Sequence, residues 1–230
     1  MPSSPRSCAR STALGRAARG IGALAAGLLG AKLLLGLAIQ LWPIPTPPWA
    51  RRLLHSRWRR SYRAPARTLA LLGMRPGMRV LELGPGSGMF THDAARLLGD
   101  HGRLVCVDLQ MAMLRPLQRD LRAAGARTAF LQAATAERLA LSDASFDMAI
   151  AFAVLPMVRD KQRALSELRR VLRPGGVLAV SEEIIEPEYV PAALMRRWCG
   201  RAGFTLTAQL RTGWWYLLLF RRGAAPPPPR

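Results

Sequence analysis

Val80-Leu81-Glu82-Leu83 is a short apolar run that stops abruptly in Gly84-Pro85-Gly86-Ser87-Gly88. No other feature constrains the fold as much. A strand that empties into glycines lets the backbone approach a ligand closely, since glycine carries no Cβ and accepts left-handed φ. The surrounding pattern is regular. Strands are predicted over residues 79–83, 103–108, 127–132, 146–152 and 177–182, and helices over 66–73, 88–98, 111–124, 160–172 and 191–202. Such alternation makes a mainly parallel sheet with helices on both faces. Two last strands, 204–210 and 214–221, are separated only by Arg211-Thr212-Gly213. That link is too short for a parallel crossover and requires an antiparallel hairpin. The expected fold is therefore α/β and doubly wound, with a mainly parallel seven-stranded sheet ending in a C-terminal antiparallel hairpin.

In an open parallel sheet, ligands bind beyond the carboxyl ends of the strands, where loop 84–88 is predicted to lie. A phosphate-binding loop closes on Lys-Ser/Thr, but Met89-Phe90 follow Gly88. A dinucleotide loop needs G-x-G-x-x-G. Gly84 and Gly86 fit that pattern, but Met89 takes the third position and Pro85 lacks a backbone donor. A ligand without phosphate remains.

The E-x-G-x-G-x-G pattern from Glu82 to Gly88, with Asp108 ending the second strand, resembles the class I S-adenosylmethionine-dependent methyltransferases. The stretches "DLQMAML" from Asp108, "AERLALSDASFDMAI" from Ala136 and "ALSELRRVLRPGGVLAV" from Ala164 resemble their ubiquinone-methyltransferase-like branch. The resemblance spans residues 66–222. It implies a Rossmann-like sheet, S-adenosylmethionine as cofactor, and methyl transfer. Carried over position by position, it implies cofactor contacts from Glu82, Gly84, Pro85, Gly86, Ser87 and Gly88, the ribose diol on Asp108, and adenine beside Leu109. Thr135, Ala136 and Phe152 complete the implied set. A carboxylate accepts two hydrogen bonds from a cis-diol, which suits Asp108. Two positions depart from the family. Its Asp after the third strand is Thr135 here, an uncharged acceptor. Its Leu-His-His after the fourth strand is Leu155-Pro156-Met157, so no histidine can act there.

Methyl transfer from a sulfonium is an in-line displacement from an activated donor, so alignment is the main task. A base helps only where the acceptor must lose a proton. No side chain announces itself as that base. The candidates are Glu182 and Glu183, ending the fifth strand, and Tyr189 in the next loop. The lack of N-P-P-Y or D-P-P-Y after the fourth strand argues against amino methylation of adenine or glutamine. Scattered Cys8, Cys106 and Cys199 argue against arsenic methylation, a metal site or a disulfide framework. His55, His92 and His101 form no ligand spacing, and no metal is expected.

The formal net charge is +20, and no acidic residue precedes Glu82. Residues 1–81 hold 14 of the 34 basic residues, so the rest carries 20 basic against 14 acidic, or +6. The predicted organisation is a disordered basic stretch 1–19, an apolar segment 20–42, a Pro/Arg-rich juxtamembrane linker 43–65, the catalytic domain 66–222 and a Pro-rich tail 223–230. The 22 residues of 21–42 match the about 20 that a helix needs to cross a bilayer. A single transmembrane helix is therefore predicted, despite Lys32, which costs roughly 2.5–3.5 kcal/mol near the centre. Seven arginines in residues 50–67, interleaved with Leu53, Leu54, Trp58 and Tyr62, are expected to rest on anionic lipid. Their charge places the catalytic domain in the cytoplasm. The membrane segment and an apolar entrance at Phe152, Val154, Leu155 and Met157 point to a small hydrophobic acceptor, such as a quinone precursor or a lipid. Two other readings stay open. One is a non-catalytic membrane interaction module on this fold. The other is an RNA methyltransferase guided by the arginines, although nucleic acid is the less expected partner. The oligomeric state is not legible.

Overall fold

The computed structural model describes residues 57–223, together with the helical residues Ala26, Gly27, Gly30, Ala31 and Leu34. The predicted membrane segment 20–42 otherwise lies outside the described residues, as do 1–19, 43–56 and 224–230. No helix among the described residues is long and apolar enough to cross a membrane.

Two short helices, α1 (Arg57–Arg63) and α2 (Pro65–Leu71), precede the sheet. Then come β1 (Arg79–Leu83), α3 (Thr91–Leu98), β2 (Arg103–Asp108), α4 (Met111–Ala123), β3 (Ala129–Ala133) and β4 (Phe146–Phe152). A 3-10 turn (Leu155–Met157) leads to α5 (Lys161–Val171), β5 (Leu172–Glu183), α6 (Ala192–Arg201), β6 (Phe204–Arg211) and β7 (Trp215–Arg222). The strand order is β3-β2-β1-β4-β5-β7-β6. The first five are parallel, and β7 runs antiparallel to both its neighbours, as the short 211–213 link requires. The order reverses between β1 and β4, and an open sheet of this kind has its ligand crevice at that reversal.

Strand residues alternate between faces, and both faces are covered. Leu81, Val105, Ala149, Leu178 and Leu218 pack on one side with Leu165 and Leu168 of α5 and Met195 of α6. Val80, Leu104, Met148, Ala179 and Leu217 pack on the other with Leu69 of α2, Leu98 of α3 and Leu117 of α4. Double coverage explains why the central strands read as nearly unbroken apolar runs. Asp160 caps α5, its side chain accepting from the Arg163 N–H at 2.9 Å.

Three boundaries differ most from the sequence expectation. The helix after the glycine loop begins at Thr91 rather than at 88, because Gly88 has φ +84°, a left-handed value that a right-handed helix cannot include. Strand β5 begins at Leu172 rather than at 177. It pairs with β4 on both sides of an outlooped Arg-Pro-Gly-Gly, where the register jumps from Phe146↔Leu172 to Met148↔Val177. The folded region also begins ahead of residue 66, since α1 packs onto the sheet.

Candidate cofactor and acceptor cavity

A cavity of about 410 Å³ opens at the carboxyl ends of β1, β2 and β4. That size falls within the range usual for small-molecule sites. The glycine loop forms one wall. The Gly84 N–H donates to the Val107 carbonyl at 2.7 Å, and the Gly88 N–H donates to the Pro85 carbonyl at 2.8 Å. Gly84 has φ +63°, and a Cβ there would lie 2.3 Å from Val154 Cγ2. At Gly88 a Cβ would lie 2.3 Å from Leu117 Cδ1. Leu117 is fully buried, so its side chain would have to shift within the core. Gly88→Ala is therefore expected to cost about 2–3 kcal/mol of stability through backbone strain plus overpacking. A lowered urea midpoint at unchanged slope would be the sign of it.

Asp108 ends β2 and is held in place by backbone donors. Its Oδ1 accepts from the Gln110 N–H at 2.8 Å and its Oδ2 from the Gly86 N–H at 3.3 Å. A carboxylate oxygen accepts more than one bond, so both oxygens keep capacity for a diol. Burial raises the Asp108 pKa, and the backbone donors work against that rise.

Glu82 lies deeper in the same wall, and the Cys106 thiol donates to its Oε2 at 3.6 Å. Burial pushes its pKa from 4.5 to about 7. The folded state thus holds this proton more tightly than the unfolded chain does. Its contribution to stability is full below pH 4.5 and is lost as pH rises to about 7. The loss is on the order of 3 kcal/mol. Glu82→Gln is expected to make stability depend less steeply on pH across this window, as read from urea midpoints at about pH 5 and about pH 8.

The remaining sequence-predicted residues divide cleanly. Pro85, Gly86, Ser87, Leu109, Thr135, Ala136 and Phe152 line the cavity with Glu82, Gly84 and Asp108. Gly88 does not line it and packs beneath it on Leu117. Of the three candidate catalytic residues, only Glu183 lines the cavity. Glu182 points to the opposite face of β5, as strand alternation demands. It is 1% exposed, and neither of its carboxylate oxygens has a hydrogen-bond partner. Burial drives its pKa well above the usual carboxylate value, with the nearby Glu186 carboxylate adding to the rise. Tyr189 packs its ring against Tyr216, centroids 6.0 Å apart, away from the cavity.

The sequence reading missed α1. Arg59 of this helix lines the cavity. Its Nη2 bonds Glu183 Oε1 at 2.8 Å and also reaches Glu186. Tyr62 donates its hydroxyl to Glu183, and Arg63 Nε stands 3.4 Å from Glu183 Oε1. Four donor atoms from α1 thus converge on Glu183, counting both Nε and Nη2 of Arg59. That carboxylate anchors the helix. Arg63 is 1% exposed, donates from Nη1 to Ser181 Oγ at 2.9 Å, and lies over the rings of Phe90, Phe152 and Trp215. Arg60 bonds Asp93 at 2.9 Å and the Met89 carbonyl at 3.1 Å. These three arginines were expected to face lipid. They face the domain instead: Glu183 and Glu186 of the acidic run partner Arg59, Glu183 partners Arg63, and Asp93 of α3 partners Arg60. That complementarity between a basic and an acidic run was the available signal.

Residues 81–180 match the family model described as a methyltransferase domain. The chain is 37% identical over 139 residues to the ubiquinone/menaquinone biosynthesis C-methyltransferase UbiE of Vibrio parahaemolyticus, a match covering 58% of this chain and 51% of that protein. The chain spans about half the length of the curated relatives it matches. Its fold is similar to that of a SAM-dependent methyltransferase from Aquifex aeolicus, with a TM-score of 0.73 at 19% identity, covering 77% of this chain and 99% of that one. It is also similar to the [4+2]-cyclase SpnF, with a TM-score of 0.63 at 17% identity, covering 70% and 81%. Residues 81–180 are thus similar to a methyltransferase domain, and the fold is that of a SAM-dependent methyltransferase.

Proposed function

We propose that this chain transfers a methyl group from S-adenosylmethionine to a small lipophilic acceptor at a membrane. In this reading segment 20–42 is a single-pass anchor and the catalytic domain is cytoplasmic. The observation that carries the proposal is the cavity itself. It combines the glycine loop and Asp108 with an apolar wall of Met89, Phe90, Phe152, Val154 and Met157. The residues fit the cofactor. Glu82, Gly84, Pro85, Gly86 and Ser87 allow close backbone approach, with Gly88 supporting the loop from below. Asp108 takes the ribose diol, while Leu109, Thr135 and Ala136 flank the adenine. When bound, the cofactor supplies an activated methyl group. The chain's own work is to align the acceptor and exclude water. Relatives named for ubiquinone and menaquinone biosynthesis support a quinone precursor as the acceptor class. Guidance of RNA by the arginine run loses support, because Arg59, Arg60 and Arg63 are engaged within the domain.

The test compares membranes with and without the chain, supplied with methyl-labelled donor. Label is expected in the lipid and quinone extract. Label confined to RNA would overturn the proposed acceptor, and calorimetry showing no S-adenosylmethionine binding would overturn the enzyme reading.

A further inference from the structure

The order of the strands divides the cavity into two halves. The glycine loop, Asp108 and Thr135 stand at the carboxyl ends of β1, β2 and β3 and fit the cofactor. The other half lies beyond β4 and β5, which continue the sheet on the far side of β1. Phe152, Val154 and Met157 wall that half, and Glu183, Glu186 and Glu188 bring carboxylates to it. Among the described residues, no His, Lys, Cys or Tyr lines the cavity. Of its side chains, only a carboxylate can therefore take a proton from an acceptor. Six carboxylates line it, and five of them are engaged. Asp108 accepts from Gly86 and Gln110, and Glu82 from Cys106. Glu137, which follows β3, accepts from the Asp160 N–H at 3.3 Å. Glu183 and Glu186 hold Arg59. Glu188 is half-buried and makes no hydrogen bond or ion pair among the described residues. Its backbone is nonetheless pinned on both sides. The Tyr189 N–H donates to the Glu186 carbonyl at 3.3 Å, and the Tyr216 hydroxyl donates to the Val190 carbonyl at 2.7 Å.

We propose that Glu188 is the catalytic base of the methyl transfer, and that the acceptor is a phenol or hydroquinone with a proton to lose. The proposal rests on the lipophilic-acceptor reading and narrows it. Atoms and electrons balance. The acceptor's oxygen or ring carbon gains the methyl carbon, the broken S–CH3 bond leaves its electron pair on sulfur, and the displaced proton goes to the Glu188 carboxylate. A carboxylate carried on a pinned segment, with no partner to give up, suits that task. The apolar wall beside it takes the ring. The charged groups that share this half of the cavity are Arg59, Arg159, Glu183 and Glu186. Glu182 lies on the opposite face of β5; burial raises its pKa, and the carboxylates of Glu186 and Glu188 add to the rise.

The test uses the full chain and has two arms, and retained S-adenosylmethionine binding certifies the fold of every variant. The first arm reads binding alone. With S-adenosylhomocysteine present, the probes are 4-propylphenol and its methyl ether, 4-propylanisole. The wild type is expected to bind the phenol about 10-fold more tightly, through a hydrogen bond to a charged acceptor, and Glu188→Ala to erase that preference. The second arm reads rate, with methyl-labelled donor and the chemically reduced lipid and quinone extract of membranes. Glu188→Gln is expected to lower the rate by roughly 100-fold near neutral pH. The same variant should regain rate toward about pH 10, where a phenol ionises unaided, and Glu188→Asp should keep part of the activity at neutral pH. Equal affinity for the two probes in the wild type, or a preference that survives Glu188→Ala, would overturn the proposal. So would a Glu188→Gln rate equal to wild type, or one that stays low at every pH, which marks a purely structural role. If the wild type binds S-adenosylmethionine but neither probe, and labels nothing in the extract, the lipophilic-acceptor reading fails and takes the base with it. If it labels the extract while Glu188→Gln keeps the wild-type pH profile, the base alone fails.

Discussion

Asp108→Ala is expected to weaken S-adenosylmethionine binding by about 3 kcal/mol, on the order of 100-fold. The estimate comes from losing two charge-assisted bonds to one diol, less what water returns to the freed hydroxyls. A second effect adds to it. In the wild type, Asp108 accepts from the Gly86 N–H, so its carboxylate also holds the glycine loop against the end of β2. Asp108→Asn separates the two contributions. It keeps one oxygen acceptor for the loop but removes the charge, and is expected to recover part of the affinity. Isothermal titration calorimetry reads both. Unchanged affinity in the alanine variant would remove Asp108 from the proposed cofactor site.

Arg63→Ala is expected to cost about 3 kcal/mol of folding stability, because removing one member of a buried charged cluster leaves its partners desolvated. Burial already lowers the Arg63 pKa, with Glu183 opposing that shift, so the site tolerates the cation only through the contacts around it. Those contacts are Ser181, Glu183 and three aromatic rings. Lysine would keep the charge and lose the planar stack, so Arg63→Lys is expected to restore only a minor share. Urea midpoints measure the stability. Cofactor affinity should fall as well, since Phe152 lines the cavity and Phe90 packs on it at 4.7 Å between centroids.

Local chemistry made much of this fold readable from the residues. A glycine loop after a strand and an acid ending the next strand are backbone requirements, and both stand where the spacing put them. The terminal hairpin followed from a link too short for any alternative. Glu182 and Glu183 were harder. Alternation says they face opposite sides of β5, but only the packed sheet decides which side holds the cavity. The role of α1 was hidden for a different reason. The partners of Arg59, Tyr62 and Arg63 lie over a hundred residues away, as in the Tyr62–Glu183 bond across 121 positions. Arginines beside an apolar segment carry a lipid explanation that is complete without such partners. The edge strand β3 shows the same limit in miniature. Phe130 is 48% exposed, with the Arg103 guanidinium 4.6 Å over its ring, a pairing that strand periodicity alone does not announce.

The docking of α1 also changes what counts as a part. A chain cut at residue 66, where composition suggests that the enzyme begins, would leave Glu183 without its arginines. It would also bare the ring faces that Arg63 covers. Helix α1 and the sheet therefore form one folding unit. Recombination or proteolysis between them severs a folding unit, and swapping one N-terminal segment for another would succeed only if the newcomer brought its own counter-charges for the end of β5.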